Sequence, residues 1–346
     1  MKRSFTILLL LLGTAFINRA MAQDSPSAYM NQMTDAETSM NKSYMTYISA
    51  SAHSSRKRKI EKLREQAVES ILTCQSTINN MSPYNGDNSL RQNAINYVNL
   101  CYKIFNDDYA HIVDMEDIAE RSYDEMQAYL LLQQATDDTL QVAITRINAA
   151  QKAFAGKYNI TLIDQQTELG DKMKETNRMN TYRNKVYLLF YKCNWEDGQL
   201  TEAVNQKNVT KIEQVRTALL KYSNEGLAVL DTLSSFEGDN SLAGACKQSL
   251  TFYKQEAETQ VPALRDFYLK EENFEKLKTA MDAKDQSQRT QADVDTYNKA
   301  VNDMNDAVNT FNQTNNDLNT DRTNTINSWN DTEKSFIDTH TPYYKG

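Results

Sequence analysis

Glycine and proline are scarce in this chain of 346 residues, which contains only 9 glycines and 4 prolines. Average usage would place roughly 40 of these two residues in a chain of this length. Sandwiches, barrels and doubly wound sheets use glycine and proline at many tight turns, so the scarcity argues against all three classes. The composition therefore predicts an all-α protein made of long helices with few corners.

Recognisable catalytic motifs are lacking as well. The sequence has no G-x-S-x-G nucleophile elbow, no phosphate-binding loop, no H-E-x-x-H motif and no dinucleotide fingerprint. Its formal charge of −8 argues against nucleic acid as a main partner, because phosphate binding depends on clustered cations. We therefore expect no cofactor and no nucleic-acid ligand, and we expect that the protein is not an enzyme.

The N-terminal residues have the pattern of a signal peptide. Lys2 and Arg3 precede an apolar run of 13 residues from Phe5 to Ile17, and Ala20-Met-Ala22 is a small-x-small cleavage site. The sequence predicts removal of residues 1–22 and export to the periplasm, the outer surface or the extracellular medium. No later stretch approaches the roughly 18 apolar residues of a membrane-spanning helix, so we expect no transmembrane segment after cleavage.

Beyond residue 22, apolar residues recur every three or four positions, which is typical of amphipathic helices. No glycine or proline interrupts residues 27–82, 87–155 or 263–341, so helices can run through these windows. Residues 28–81 can form one helix or two, because His53-Ser-Ser55 is a weak break. The predicted helices are 28–53, 55–81, 89–133, 138–154, 165–194, 200–234, 240–283 and 290–338.

The chain contains an internal repeat. Lys59–Leu90 and Lys211–Leu242 share 10 identities in 32 ungapped positions at an offset of 152, where unrelated sequences would share roughly two. Residues 138–154 also match residues 295–311, with 6 identities in 17 positions. We predict an elongated bundle of two tandem copies of a roughly four-helix unit, with the copies at residues 23–164 and 165–346.

Both copies have the same loop, Gly-Asp-Asn-Ser-Leu, beginning at Gly86 and at Gly238. Asp and Ser are favoured at helix N-termini because their side-chain oxygens accept from free backbone N–H groups. Calcium is a second interpretation of these oxygen-rich loops, but they lack the glycine and the twelfth-position glutamate of an EF-hand. Helix capping is therefore favoured for Asp87, Ser89, Asp239 and Ser241.

Two of the four cysteines are predicted to lie opposite each other in the first hairpin. Residues whose numbers sum to 175 lie opposite each other across its loop, and Cys74 and Cys101 satisfy this rule. Export would allow a disulfide between them, but neighbouring helix axes are usually about 8 to 10 Å apart, so buried thiols are the alternative. Cys193 and Cys246 are predicted to lie at opposite ends of the bundle and to remain free.

One acidic helix face could bind a metal ion. His111 has Asp107 and Asp108 one turn before it and Asp114 one turn after it, which supplies nitrogen and oxygen ligands. A di-iron site in a bundle also needs Glu-x-x-His pairs on two helices, and the sequence lacks them. A solvated acidic face is therefore favoured over a metal site.

Three stretches of the chain form a recognisable set: Asp108–Tyr129, the Gly-Asp-Asn-Ser-Leu loop and Val186–Lys192. Together they resemble an uncharacterised family of exported, all-helical bacterial surface proteins found in bacteroidetes and spirochaetes. That family has no established activity or site residues. The resemblance therefore implies an exported location and a helical architecture only.

The sequence thus favours an exported, non-enzymatic helical bundle that acts as a binding or structural module at the cell surface or in the envelope. Its expected partner is an unknown protein or glycan. The alternative is a bundle that binds a small molecule or a metal ion, including an enzyme without a recognisable motif. A deep pocket lined by convergent ionisable groups would favour that alternative.

Overall fold

A computed structural model describes residues 25–108, 122–162 and 167–345. The described residues form an all-α protein and contain no β-strand, only two isolated bridges within turns. The α-helices are α1 (Pro26–His53), α2 (Lys57–Asn80), α3 (Ser89–Tyr102), α4 (Tyr123–Lys157), α5 (Glu168–Asn205), α6 (Val209–Thr232), α7 (Ser241–Gln255), α8 (Val261–Asp282) and α9 (Gln291–His340). Two π-helical turns, Lys103–Asp108 and Glu256–Gln260, continue α3 and α7, and a 3-10 turn lies at Gln286–Gln288.

Residues 28–81 form two helices and not one. The backbone is extended at Ser54, and it remains outside the helical region at Arg56, where α2 begins without a side-chain cap. The N-terminus of α1 is well defined by its sequence. Ser25 Oγ accepts a hydrogen bond from the Ala28 N–H at 3.1 Å, and Pro26 occupies the first turn.

Two of the predicted helix breaks are wrong. α4 continues through residues 134–137, and α5 continues through Gly198 as far as Asn205. A single glycine inside a helix costs only about 1 kcal/mol, and burial of Cys193 and Leu200 on either side of Gly198 outweighs it. The sequence also missed two breaks. One is at Ser122, whose Oγ accepts from the Glu125 N–H at 3.1 Å and caps α4. The other is at residues 206–208, which separate α5 from α6 inside the predicted helix 200–234.

The chain divides into two compact units. Unit 1 comprises the described residues up to Asn184 together with those from Phe336 onward, and unit 2 comprises Lys185–Ser335. Unit 1 is therefore discontinuous in sequence, since all of unit 2 lies between its two parts. The boundary predicted between residues 164 and 165 separates two copies of a repeated sequence and not two compact units, so it stays a prediction.

In unit 1, α1 packs against α2, α2 against α3, and α3 against α4. α1 and α4 also meet, because the Tyr29 ring stacks on Phe154 with ring centroids 5.7 Å apart and Gln151 lies beside Glu37. The buried interior of α1 is rich in methionine and tyrosine, which fill irregular space between neighbouring helices. The fully buried side chains of α1 include Met30, Met33, Met40, Tyr44 and Met45.

In unit 2, the C-terminal part of α5 contacts α6, α7, α8 and α9. Trp329 of α9 is buried and stacks on Phe190 of α5 at 4.2 Å between ring centroids. The hydroxyl of Tyr268 on α8 donates to the backbone oxygen of Val204 at 2.7 Å. These contacts connect α5 to α8 and to α9.

The turns that precede α3 and α7 have the same geometry. Tyr84 and Asp87 exchange two backbone hydrogen bonds of 3.1 and 2.8 Å, and Phe236 and Asp239 exchange two of the same lengths. Both central residues of each turn have positive φ, with the glycines at +80° and +88°. Two successive residues of positive φ are typical of type I′ turns, which explains why glycine stands at Gly86 and Gly238.

None of the described helices is long and apolar enough to cross a membrane.

Candidate functional site

The predicted cap residues lie at the first turns of α3 and α7. Asp87 Oδ1 accepts from the Ser89 N–H at 2.9 Å and from Ser89 Oγ at 2.6 Å. Asp239 Oδ1 accepts from the Ser241 N–H at 2.7 Å. In both loops the aspartate thus satisfies the first free N–H of the following helix.

Asp87 also connects its loop to the end of α4. Its Oδ2 accepts from Lys157 Nζ at 2.7 Å and from the Tyr158 hydroxyl at 3.4 Å. The hydrogen bonds from Lys157 and Ser89 hold the pKa of Asp87 well below its usual range. Both carboxylate oxygens are engaged by protein donors, which is the environment of a cap and an ion pair rather than that of a calcium ligand.

The predicted metal-binding face lies mostly outside the described residues. His111 and Asp114 belong to the segment 109–121, and for Asp107 and Asp108 only the backbone, a π-helical turn, is described. Within the described part of the chain, no group of three or more His, Cys, Asp or Glu side chains could hold a metal ion.

Cys74 and Cys101 are free thiols, and both are buried. Burial raises the pKa of Cys74 to about 12 and raises that of Cys101 far above its usual range. A thiol in such surroundings is unreactive, because the thiolate is the nucleophile. The structure thus has the buried-thiol arrangement at these positions, without a bridge.

The prediction that Cys193 and Cys246 lie at opposite ends of the bundle is wrong. Both are buried in unit 2, and the Cys193 thiol adds to the burial that raises the pKa of Cys246. The error has the same cause as the false break at Gly198. Because α5 continues to Asn205, Cys193 lies well inside this helix and reaches Ser223 Oγ of α6 at 3.7 Å.

Unit 1 contains a buried acid, Glu37, whose hydrogen-bond donor is an amide and not a cation. Glu37 of α1 is only 3% exposed, and its recorded hydrogen bond is a long one of 3.5 Å from Gln151 Nε2. Its other oxygen has no hydrogen-bond partner, and neither does Oδ1 of Asn41 one turn later. Burial raises the pKa of Glu37 to about 8, because the charged form is poorly solvated there.

Unit 2 contains a buried cluster of three ionisable side chains from three elements. Arg322 of α9 donates from Nε to Asp197 Oδ1 of α5 at 2.7 Å and from Nη2 to Glu256 Oε1 at 2.5 Å. The side chains are 11%, 7% and 0% exposed for Arg322, Asp197 and Glu256. We call this set the Arg322 cluster.

The Arg322 cluster contains one cation and two acids. Burial raises the pKa of Glu256 well above its usual range, and the charge of Asp197 raises it further, although Arg322 opposes both effects. Burial also raises the pKa of Asp197, and Arg322 opposes that rise. Burial thus favours the protonated form of both acids, and the Arg322 guanidinium between them opposes this by stabilising their charged forms.

The π-helical turn Glu256–Gln260 determines where Glu256 lies. A π turn widens the helix by one residue and shifts the side chains that follow α7, a feature that often occurs at functional positions. Sequence reasoning missed this cluster, because Asp197 and Glu256 stand 125 and 66 residues from Arg322. One signal was available: Arg322 is the only basic residue between Val301 and Asp331.

An open groove lies between α7 and α9, beside the Arg322 cluster. Its volume of about 460 Å³ is comparable to that of small-ligand sites, which span roughly 300 to 1,000 Å³. Gln255 and Asp321 on its walls directly precede Glu256 and Arg322 in sequence. We call it the α7–α9 groove, and it is lined by Lys247, Gln248, Thr251, Phe252, Gln255, Asp321, Asn324 and Thr325.

The fold and these sites define an all-α protein of long helices. Comparison of the chain with protein-family models, with curated proteins and with solved structures gives no significant match.

Proposed function

We propose that the chain is an exported, non-enzymatic helical-bundle protein that acts as a binding or structural module at the cell surface or in the envelope. Export rests on the signal-peptide pattern of residues 1–22. The resemblance to exported, all-helical bacterial surface proteins supports the same location. Neither argument identifies the partner. We propose that it is a protein or a glycan.

The observation that carries the binding role is the contrast between the Arg322 cluster and the α7–α9 groove beside it. The clustered ionisable groups are buried and bonded to one another, so they hold α5, α7 and α9 together. The open groove instead presents amides, hydroxyls, the Phe252 ring and two charged side chains, Lys247 and Asp321. Such groups recognise a ligand through hydrogen bonds, stacking and charge pairing.

We also propose that the chain is a tandem repeat. Lys59–Leu90 and Lys211–Leu242 align at an offset of 152, and the same offset relates the bounds of α2 to those of α6. The two type I′ turns support the proposal, as does the π-helical turn that follows each of α3 and α7. Duplication of one hairpin would produce all of these similarities together.

Site-specific photocrosslinking in the native cell tests the binding role. A photoreactive residue is placed at Gln248 or at Asn324 in the α7–α9 groove, and a matched control is placed at the exposed Gln66 of α2. We expect both groove positions, but not the control, to trap the same envelope protein or glycan. N-terminal sequencing of the mature chain is expected to begin at Gln23.

Two outcomes would contradict the proposal. One is an equal yield of crosslinks at Gln66 and in the groove, which would show that the groove is not the binding surface. The other is a small molecule that co-purifies stoichiometrically with the protein and is converted by it, which would favour the enzyme alternative.

A further inference from the structure

The two walls of the α7–α9 groove are polar faces of their helices. Residues three and four positions apart share one face of a helix, and both walls follow this spacing. They are formed by Gln248, Thr251, Phe252 and Gln255 of α7 and by Asp321, Asn324 and Thr325 of α9. The spacing that is apolar where two helices pack is here filled mainly by hydrogen-bonding groups around an open space.

These hydrogen-bonding groups offer donors and acceptors together. Gln248, Gln255 and Asn324 are exposed, and each side-chain amide has a donor nitrogen beside an acceptor oxygen. Thr251 Oγ1 donates its proton to the backbone oxygen of Lys247 at 2.7 Å, which leaves this hydroxyl oxygen as an acceptor. A matching ligand must also combine donors and acceptors, as a hydroxyl group does.

One aromatic ring lies among these polar groups. Phe252 is half-buried, and its ring packs on that of the buried Tyr253 with ring centroids 5.2 Å apart. The Tyr253 hydroxyl donates to Asn194 Oδ1 of α5 at 3.1 Å, which anchors the pair of rings in unit 2. A fixed apolar ring among hydrogen-bonding groups matches a ligand with an apolar face and polar edges, which is the form of a sugar ring.

The charges around the groove disfavour an anionic ligand. Lys247 Nζ lies 2.6 Å from Asp231 Oδ1 of α6, so this cation is already paired. Asp321 adds a carboxylate on the other wall. One cation and two acids leave one net negative charge, which repels phosphate, sulfate and uronate groups.

A second groove of unit 2 has a different lining. It has a volume of about 470 Å³ and lies between α6 and α8, and we call it the α6–α8 groove. Arg265 and Glu213 form an ion pair of 3.2 Å on its walls, beside the exposed Leu269. Protein interfaces are typically anchored by Trp, Tyr and Arg, and none of these is among the described residues that line the α7–α9 groove. Its lining therefore favours a glycan over a protein.

The Arg322 cluster fixes the walls of the α7–α9 groove before a ligand arrives. Gln255 and Asp321 directly precede Glu256 and Arg322 in sequence, and Arg322 Nη2 donates to Glu256 Oε1 at 2.5 Å. A preformed site loses little conformational entropy on binding. An open groove with few contacts can therefore hold a ligand.

Resting on the binding role proposed above, we infer that the α7–α9 groove binds an uncharged oligosaccharide. The Phe252 ring stacks on the C–H face of one sugar ring. The amides of Gln248, Gln255 and Asn324 exchange hydrogen bonds with the sugar hydroxyls, each of which donates and accepts.

Binding of the purified full chain to a printed array of oligosaccharides tests this ligand class. The array carries uncharged chains of glucose, galactose, mannose and N-acetylglucosamine beside uronate, sulfated and amine-bearing chains. We expect binding to uncharged chains. Titration calorimetry of the strongest of them should give the same dissociation constant at about 0.05 and 0.5 M salt, because salt screens interactions between charges.

Substitutions assign the binding to the groove. Phe252→Ala should weaken it by about tenfold through the loss of ring stacking, and Phe252→Leu, which keeps an apolar side chain, tests the same loss if the alanine variant fails to fold. Gln248→Ala and Asn324→Ala remove exposed amides, and each should weaken binding by about fivefold, on the scale of one hydrogen bond. The matched control is Gln214→Ala at an exposed position of the α6–α8 groove, where we expect no change.

The oligosaccharide is overturned if no uncharged chain binds, if only charged chains bind, or if the Phe252 and Asn324 variants bind as tightly as the unmodified chain. Photocrosslinking separates this failure from failure of the binding role. A polypeptide trapped at both Gln248 and Asn324 would overturn the oligosaccharide and leave the binding role standing. An equal yield of crosslinks at Gln66 would remove both.

Discussion

The two units bury carboxylic acids in different ways. Glu37 in unit 1 has an amide nitrogen at 3.5 Å as its recorded donor, whereas Asp197 and Glu256 in unit 2 share the guanidinium of Arg322. Burial of a charge is costly in both units. Unit 1 reduces the cost by raising the pKa of Glu37 to about 8, and unit 2 reduces it by placing the Arg322 guanidinium between its two acids. Unit 1 is therefore expected to respond to pH, and unit 2 to depend on a single cation.

The hairpins of the two units also differ at equivalent core positions. At the offset of 152, Cys74 and Val98 of unit 1 correspond to Gly226 and Leu250 of unit 2. A Cβ atom on Gly226 would lie 2.5 Å from Leu250 Cδ1, so Leu250 already fills the space that a side chain there would need. In unit 2, the smaller residue Gly226 in α6 is thus compensated by the larger residue Leu250 in α7.

Removal of the cation in unit 2 should have the largest effect. Arg322→Met leaves Asp197 and Glu256 buried without a partner, so we expect the free energy of unfolding of unit 2 to fall by about 3 to 5 kcal/mol. Urea unfolding followed by tryptophan fluorescence measures this directly, because both tryptophans of the chain, Trp195 and Trp329, lie in unit 2.

Arg265→Met is the matched control for that variant. Arg265 also pairs with a carboxylate in unit 2, that of Glu213 at 3.2 Å, but the two side chains are 38% and 37% exposed. An exposed pair contributes about 0 to 1 kcal/mol, so this change should be nearly neutral. Equal losses in the two variants would show that burial does not distinguish the two arginines.

Neutralising the buried acid of unit 1 should stabilise it at neutral pH. The pKa of Glu37 is raised from 4.5 to about 8, so below pH 4.5 Glu37 is protonated in both the folded and the unfolded state. Between pH 4.5 and 8 the unfolded state ionises first, and the stability of unit 1 falls as pH rises. Glu37→Gln should remove this dependence and add roughly 3 kcal/mol at pH 7.

Circular dichroism during urea unfolding at pH 5, 7 and 8.5 measures this effect, since it detects unit 1 as well as unit 2. The gain should be small at pH 5 and should grow with pH up to about 8, without a shift in tryptophan fluorescence. The control is Glu65→Gln at an exposed position of α2, where we expect no change. A gain independent of pH would contradict the assignment of Glu37 as a buried neutral acid.

Filling the space between α6 and α7 should have the smallest effect. Gly226→Ala forces Leu250 to move, and overpacking of this kind costs about 1 to 3 kcal/mol. Gly244→Ala in α7 meets nothing within 4 Å and should add up to about 1 kcal/mol by restricting the unfolded chain. Tryptophan fluorescence reports both variants, and a stabilising Gly226→Ala would show that Leu250 does not fill this space.

Much of the fold could be predicted from the sequence, because scarce glycine and regular apolar spacing act locally. The helix class, the turns at Gly86 and Gly238 and most helix starts follow from such local rules. Gly198 could not be judged in this way, since tertiary burial around it outweighs its weak helix propensity. Ser122 was missed because a serine within an amphipathic pattern resembles any exposed helix residue until its capping bond is seen.

The Arg322 cluster was less accessible to sequence reasoning. A lone arginine in the asparagine-rich stretch 301–331 indicates an unusual position but not its partners, which come from other helices. Glu37 gave no signal at all, because a glutamate on an amphipathic helix is normally exposed. Whether a charged residue is buried in the core depends on which helices pack against each other. Helical periodicity alone does not determine that packing.

The discontinuity of unit 1 has a consequence for the order of synthesis. Residues 336–345 follow the whole of unit 2 in the sequence, yet they pack on α1, the first of the described helices. During translation, α1 emerges long before the residues that its His53 and Ser49 contact. Unit 2 can fold as soon as residue 335 is available, whereas unit 1 is completed only by the chain made after it.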